Sequence, residues 1–207
     1  INDEFFKYSK DIRTKEELKQ EMNEVLRFNP FICESFYADE VVLIEGPTEE
    51  IILRGYFNEI ESNKDIFIVN CGTVNNIPFF QKIFSRFNIK YHVICDSDKA
   101  ELMHEDEFGL TSFNFGIQKS IYEQFKLDYE KVNYNCGLFQ INEPTFEPAH
   151  QKDTILDYLR YSDAYQVKDG KPYNANLYWK EVLQPNILKE EINQVPIIKY
   201  LKNIVNH

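Results

Sequence analysis

The chain has 207 residues with 34 Asp and Glu against 23 Lys and Arg, a formal net charge of −11. That balance is awkward for a polyanion partner, because Lys and Arg contacts to phosphate ordinarily dominate such affinity, and basic surface would have to come from local patches or from a missing part of the protein. No apolar run approaches the roughly 18 residues of a membrane span, no charged-then-apolar secretory segment opens the sequence, and Cys33, Cys71, Cys95 and Cys136 show no C-x-x-C spacing. A soluble, cytoplasmic protein with reduced thiols is expected, long enough to bury about 70% of its unfolded surface in a core rich in its 17 Phe and 13 Tyr.

Residues 1 to 29 are polar and charged, with Leu18, Met22, Val25 and Leu26 at helical spacing and Thr14 three residues ahead of Glu17. One amphipathic helix from about Lys15 to Phe28 is predicted, ended by Asn29-Pro30, and Phe31 to Tyr37 reads as a short second helix. Val41-Val42-Leu43-Ile44 then runs straight into Glu45, Gly46 and Pro47, after which Ile52, Leu53, Tyr56, Phe57 and Ile60 recur at helical spacing. Gly46 suits a tight turn, and Pro47 suits the first helical position, where its missing N–H would be unpaired anyway. A buried strand therefore ends in a carboxylate, and Glu49 follows in the first helical turn. Ile66 to Val69 predicts a second strand. Ile77, Phe80, Phe84 and Phe87 make the core stripe of the next helix, and Tyr91 to Cys95 a third strand that delivers Asp96 and Asp98. This β-α-β-α-β order predicts a parallel sheet with right-handed crossovers, and in such sheets ligands collect outside the carboxyl ends of the strands.

Residues 99 to 111 lack periodicity; His104 with Glu105, Asp106 and Glu107 is read as a solvated loop rather than a metal cluster. Ser112 to Tyr129 is helical in pattern, with Phe115, Ile121, Tyr122 and Phe125 apolar, and Gly137 to Ile141 reads as a fourth strand leading to Asn142-Glu143-Pro144-Thr145-Phe146-Glu147. Acids again follow a strand end. A helix is expected from Ile155 to Tyr161 and a turn at Asp169-Gly170-Lys171-Pro172. Closing helices are expected at 173 to 184 and 186 to 206, packed around Trp179, Leu183, Ile187, Ile197, Tyr200 and Ile204, with Pro185 and Pro196 as breaks.

Glu45-Gly46-Pro47-Thr48-Glu49 after a hydrophobic strand, followed by a strand and helix and then Asp96-Ser97-Asp98 after another strand, resembles the TOPRIM domain of topoisomerases, primases and related nucleases. More narrowly, Phe36-Tyr37-Ala38-Asp39 and Asn70-Cys71-Gly72 resemble the OLD (overcoming lysogenization defect) family of ATP-associated nucleases. The resemblance implies an α/β TOPRIM (Rossmann-like) fold, a parallel sheet of about four strands flanked by helices, with helical N- and C-terminal extensions. It divides the chain into a helical linker at 1–39, a catalytic core at 40–150 and a C-terminal helical part at 151–207 that completes the nuclease domain. It also implies metal ligands at Glu45, Glu49, Asp96 and Asp98, and a further one at Glu147 in Thr-Phe-Glu, with Glu143 as the alternative. Glu45 and Asp96 would be catalytic together with Lys171 in Gly170-Lys171-Pro172; Lys152, Lys99 and a turn lysine without a role remain the alternatives there.

Phosphodiester cleavage needs an activated water, an in-line leaving oxygen and neutralisation of charge on the phosphate, which two metal ions about 3.5–4 Å apart supply. Carboxylates without paired His or Cys point to two Mg²⁺ or Mn²⁺ ions rather than Zn²⁺. Crowded carboxylates repel one another, so metal is expected to stabilise the fold. The expected activity is endonucleolytic hydrolysis of DNA, in phage defence or DNA repair by resemblance alone. RNA cleavage is the alternative within this chemistry, and a dormant TOPRIM interaction or dimerisation module the alternative outside it. OLD proteins carry an ABC-type ATPase domain ahead of the TOPRIM part. The sequence holds no G-x-x-x-x-G-K-S/T motif and begins at Ile1, so it reads as a C-terminal fragment. ATP would then bind only the missing domain. That domain, nucleic acid and further copies of the full-length protein are the expected partners.

Overall fold

Every residue of strand β1 (Glu40–Ile44) is buried, because this strand sits inside a sheet that helices cover on both faces. The computed structural model describes residues 30–98, 102–105, 111–113, 116–131, 136–162 and 170–206. The helix expected from Lys15 to Phe28, together with Lys99, Asp106, Glu107, Phe115 and Asp169, lies outside them. A short helix α1 (Pro30–Glu34) and a 3₁₀ turn at Ser35–Tyr37 precede β1. Then come α2 (Pro47–Glu59), β2 (Ile66–Asn70), α3 (Ile77–Phe87) and β3 (Lys90–Asp96). With β6 (Cys136–Asn142), β1 to β3 form a four-stranded parallel sheet in the order β2-β1-β3-β6.

That order makes the chain step from β1 to one side, at β2, and then cross back to the other side, at β3. The crossovers therefore lie on opposite faces, and a crevice opens between the C-terminal ends of β1 and β3, where the direction of winding reverses. Side chains obey the strand period of two. Val42 and Ile44 pack with Ile52, Leu53 and Tyr56 of α2, whereas Val41 and Leu43 pack with Ile77, Phe80 and Phe84 of α3. Helix α4 (Gly116–Tyr129) adds Ile121 and Phe125 to the second face.

The C-terminal extension closes the first face. Helix α6 (Lys171–Tyr178) runs on into a π turn at Trp179–Leu183 and a last turn at Gln184–Asn186. Pro185 therefore does not break the helix as expected: the widened π turn just before it accommodates the missing N–H and the ring. After a 3₁₀ turn at Glu190–Gln194, Pro196 opens α7 (Pro196–Asn206). On α7 the Tyr200 hydroxyl lies 3.0 Å from the Val93 carbonyl and 2.9 Å from that of Leu138, tying the helix to two strands. Three cysteines, Cys71, Cys95 and Cys136, are buried, and all four are free thiols. Among the described residues no helix is long and apolar enough to cross a membrane.

Two further segments depart from the sequence reading. Within 99–111, read as a loop, β4 (Leu102–Glu105) pairs antiparallel with β5 (Thr111–Phe113), and the following helix starts at Gly116, in a left-handed conformation, rather than at Ser112. The helix expected at Ile155–Tyr161 lies instead at α5 (Phe146–Lys152), with only a 3₁₀ turn at Asp157–Leu159. Phe146, Ala149 and His150 supply the buried stripe of α5. His150 has its Nδ1 2.7 Å from the Phe146 carbonyl while its Nε2 accepts the Ile197 N–H, and burial holds its pKa down at about 4. In the later segment Ile155 and Tyr158 are exposed, and the Arg160 guanidinium occupies the carbonyls of Thr154 and Ile155.

Gly55 lies in the middle of α2, where Ala would ordinarily gain about 1 kcal/mol in helix propensity. A Cβ there, however, would meet the Trp179 indole at 2.3 Å. Overpacking a rigid ring costs about 1–3 kcal/mol and wins over propensity. Gly55→Ala is therefore expected to lower the Tm by several degrees in a thermal melt, and an increase would contradict this packing.

Candidate metal centre

Glu45 is the residue after β1 and Asp96 the last of β3, so the sheet itself sets them side by side; the Asp96 N–H lies 3.4 Å from Glu45 Oε2. Glu49 follows on the first turn of α2 and is only 4% exposed. Asp98 takes a left-handed backbone conformation, φ 52°, and its N–H donates to the Pro144 carbonyl at 2.8 Å, while Ser97 N–H donates to Asn142 O at 2.9 Å. These two bonds tie the loop after β3 to the segment after β6. Glu147 lies on the first turn of α5, with Thr145 Oγ1 3.5 Å away. Lys171, the first residue of α6 rather than part of a free turn, brings its Nζ to 3.7 Å from Glu147 Oε1 and is 66% exposed on its side chain.

The electrostatics tie these groups together. Burial pushes the Glu49 carboxyl up to about 8, and the charges of Asp96, Glu45 and Glu147 push in the same direction. Burial likewise raises Asp96 to about 7, with Glu45 and Glu147 adding to the rise and Asn142 and Lys171 opposing it. Glu45 is raised by burial and by Asp98, against the Asp96 N–H and Lys171. Glu45, Glu49 and Asp96 are thus coupled, and the charges of Asp98, Glu147 and Lys171 each act on at least one of them. Glu143 is exposed, and Lys152 ends α5 at the opposite end from Glu147. Two polar residues the sequence reading passed over also belong here. Asn142 Nδ2 lies 3.1 Å from Asp96 Oδ1, and Gln118 Nε2 lies 3.1 Å from Asp98 Oδ2.

The donor set fits a hard divalent cation. It offers carboxylate oxygens alone, and it holds more negative charge in a desolvated spot than its one lysine offsets. Among the described residues no three acidic, His or Cys side chains close into a ready cage. Mg²⁺ seldom asks for one, since it keeps several waters and is bound through one or two carboxylates plus substrate phosphate.

Residues 36–98, less than a third of the chain, match the family model described as the TOPRIM domain of overcoming lysogenization defect protein-like proteins. The four-stranded parallel sheet flanked by helices is consistent with a TOPRIM, Rossmann-like α/β fold. The match spans Glu45, Glu49, Asp96 and Asp98 and stops short of Glu147 and Lys171. It points to a metal-binding domain of nuclease or primase type that acts on nucleic acid. No curated protein and no solved structure matches the chain.

The raised carboxyls at these strand ends set a pH dependence. Their folded values, about 8 for Glu49 and about 7 for Asp96, lie above the ordinary 4.5 and 3.8. Their contribution to metal-free stability is therefore full below pH 4 and is lost as pH rises through 7 to 8, where the folded state must ionise buried groups. Glu49→Gln removes that burden. At pH 8 without metal it is expected to stabilise the chain by on the order of 2 kcal/mol, roughly 4–8 °C in Tm, and at pH 4 by much less. A melt showing equal Tm values at pH 8 would contradict the crowding.

Proposed function

We propose that the chain is the nuclease part of an OLD-family protein and hydrolyses phosphodiester bonds of DNA with two Mg²⁺ or Mn²⁺ ions held by Glu45, Glu49, Asp96, Asp98 and Glu147. The observation that supports this reading is the convergence of five carboxylates and one lysine from β1, α2, β3, the loop after it, α5 and α6 on one crevice. When bound, the ions would lower the pKa of a coordinated water and neutralise charge on the phosphate.

The chain's own residues do the rest. Glu45 and Asp96, fixed by adjacent parallel strands, set the spacing of the ligands without depending on a mobile loop. Glu49, on the helix that follows β1, brings its charge against the floor of the crevice. Lys171 pairs with Glu147 at 3.7 Å yet remains largely exposed. Its ammonium is therefore free to reach the scissile phosphate, where it would stabilise charge that grows in the transition state. With a net charge of −11 on the chain, the attraction for a polyanion must come from the bound cations, from local basic patches or from an ATPase domain ahead of residues 1–39, the linker in this reading. The reading of residues 151–207 as the part that completes the nuclease domain is supported by Tyr178, Trp179 and Leu201, which share one core with Ile44 and Ile94.

The test is cleavage of plasmid, linear DNA and RNA in Mg²⁺ or Mn²⁺. Asp96→Ala is expected to abolish cleavage while circular dichroism stays native. Lys171→Ala is expected to slow cleavage about a hundredfold, roughly 2.7 kcal/mol of barrier, with Mn²⁺ binding close to that of the unaltered chain. Lys171→Arg should recover part of the rate, because a planar guanidinium and a compact ammonium are not interchangeable. Full cleavage by a folded Asp96→Ala chain would remove the metal-hydrolysis reading, and cleavage of RNA alone would change the substrate.

A further inference from the structure

Each aspartate of Asp96-Ser97-Asp98 is held by an amide from another element. Asn142 on β6 directs its Nδ2 at Asp96 Oδ1 at 3.1 Å. Gln118 on α4 directs its Nε2 at Asp98 Oδ2 at 3.1 Å and at the Asp96 carbonyl at 3.3 Å. Both amides are out of water, 0% and 5% exposed. An ionised carboxylate only accepts, so the NH₂ group is the one that faces it in each case.

We propose that Asn142 and Gln118 are positioning residues, which fix one oxygen of Asp96 and one of Asp98 so that the other oxygen of each is presented to a divalent cation. This rests on the reading of the crevice as a cation site. The chemistry of the two side chains supports it. A lysine or arginine in either place would hold the carboxylate equally well but cancel the charge the cation needs; a neutral amide orients without neutralising.

The surroundings of Asn142 point the same way. Its Oδ1 has no hydrogen-bond partner although it is buried, and an orphaned buried acceptor costs stability. A side chain serving the fold alone would be apolar there. The sheet register also matters. Tyr91 pairs with Cys136 but Val93 pairs with Phe139, so β6 carries one extra residue beside His92, and from there on Asp96 lies opposite Asn142 instead of Ile141. Gly137 permits this bulge, since a Cβ on it would meet the His92 ring at 2.3 Å. A one-residue slip would turn Asn142 to the other face of the sheet. For Asp98, the left-handed backbone is unfavourable for a side chain with a Cβ. Gln118 and the Pro144 carbonyl are what hold it in place.

Mn²⁺ titration by calorimetry, with metal-free melts of the same proteins, tests the inference on the unaltered chain, Asn142→Leu, Gln118→Met and Asp96→Asn. The expected result is a Kd for Mn²⁺ raised about 10–100-fold in each amide variant, with the metal-free Tm of Asn142→Leu no lower than that of the unaltered chain. Unaltered Mn²⁺ affinity in both folded amide variants, while Asp96→Asn loses binding, would overturn the inference and leave the cation site standing. Absence of Mn²⁺ binding by the unaltered chain, or binding undisturbed by Asp96→Asn, would overturn both. A marked fall in the metal-free Tm of Asn142→Leu would assign Asn142 to the fold, and Gln118→Met would then decide the case for Gln118.

Discussion

The structure depends on keeping several like charges out of water at one end of a parallel sheet. Glu45, Glu49 and Asp96 are all pushed toward their protonated forms, burial first and mutual repulsion second. Two features of the fold offset that cost. The N-termini of α2 and α5, which follow β1 and β6 directly, place the partial positive ends of their helices at the crevice. The two apolar faces of the sheet, filled from α2, α6 and α7 on one side and α3 and α4 on the other, supply the burial that carries the fold.

The opposite end of the sheet shows the same residue type under the opposite condition. Burial alone would raise the carboxyl of Glu40, at the start of β1, but hydrogen bonds with His92, Lys64 and Lys90 hold it well below the usual carboxylate range. Its Oε2 lies 2.8 Å from His92 Nε2, and its Oε1 2.9 and 3.1 Å from the two ammonium groups. His92 in turn accepts the Leu138 N–H on Nδ1, so one buried imidazole links β1 to the bulge in β6. Glu40 is paired with three cationic or imidazole partners, whereas Glu49 is buried among other carboxylates. That network pins the register from which Asp96 and Asn142 emerge opposite one another.

The four strands of the parallel sheet, the first two crossover helices and the strand-end acids were legible in the sequence because each rests on a local signal. Val41 to Ile44 and Tyr91 to Cys95 are short apolar runs cut off by carboxylates, and Pro47 marks a helix start by its own covalent geometry. The segments that misled did so for equally physical reasons. The 155–161 stretch has apolar residues at helical spacing, but Ile155 and Tyr158 face solvent and Arg160 takes up the carbonyls a helix would use. Leu102–Glu105 has too few apolar residues to announce a strand, and its pairing with Thr111–Phe113 is a relation between two segments, invisible in either alone.

By itself the sequence determined the α/β class, the parallel direction of β1 to β3 and the placing of Glu45, Glu49, Asp96 and Asp98 just at or beyond strand ends, because these follow from periodicity and from which residues stop a strand. Tertiary structure alone decided that β3 would lie beside β1 away from β2, and so that the crevice opens between Glu45 and Asp96. It likewise decided that Lys171, distant in sequence, comes to Glu147, and that Asn142 and Gln118 grip the aspartates. Amides carry no pattern along a chain. Their role exists only once a bulge at Gly137 has set the phase of β6 and a helix from the far face has brought Gln118 within hydrogen-bonding distance.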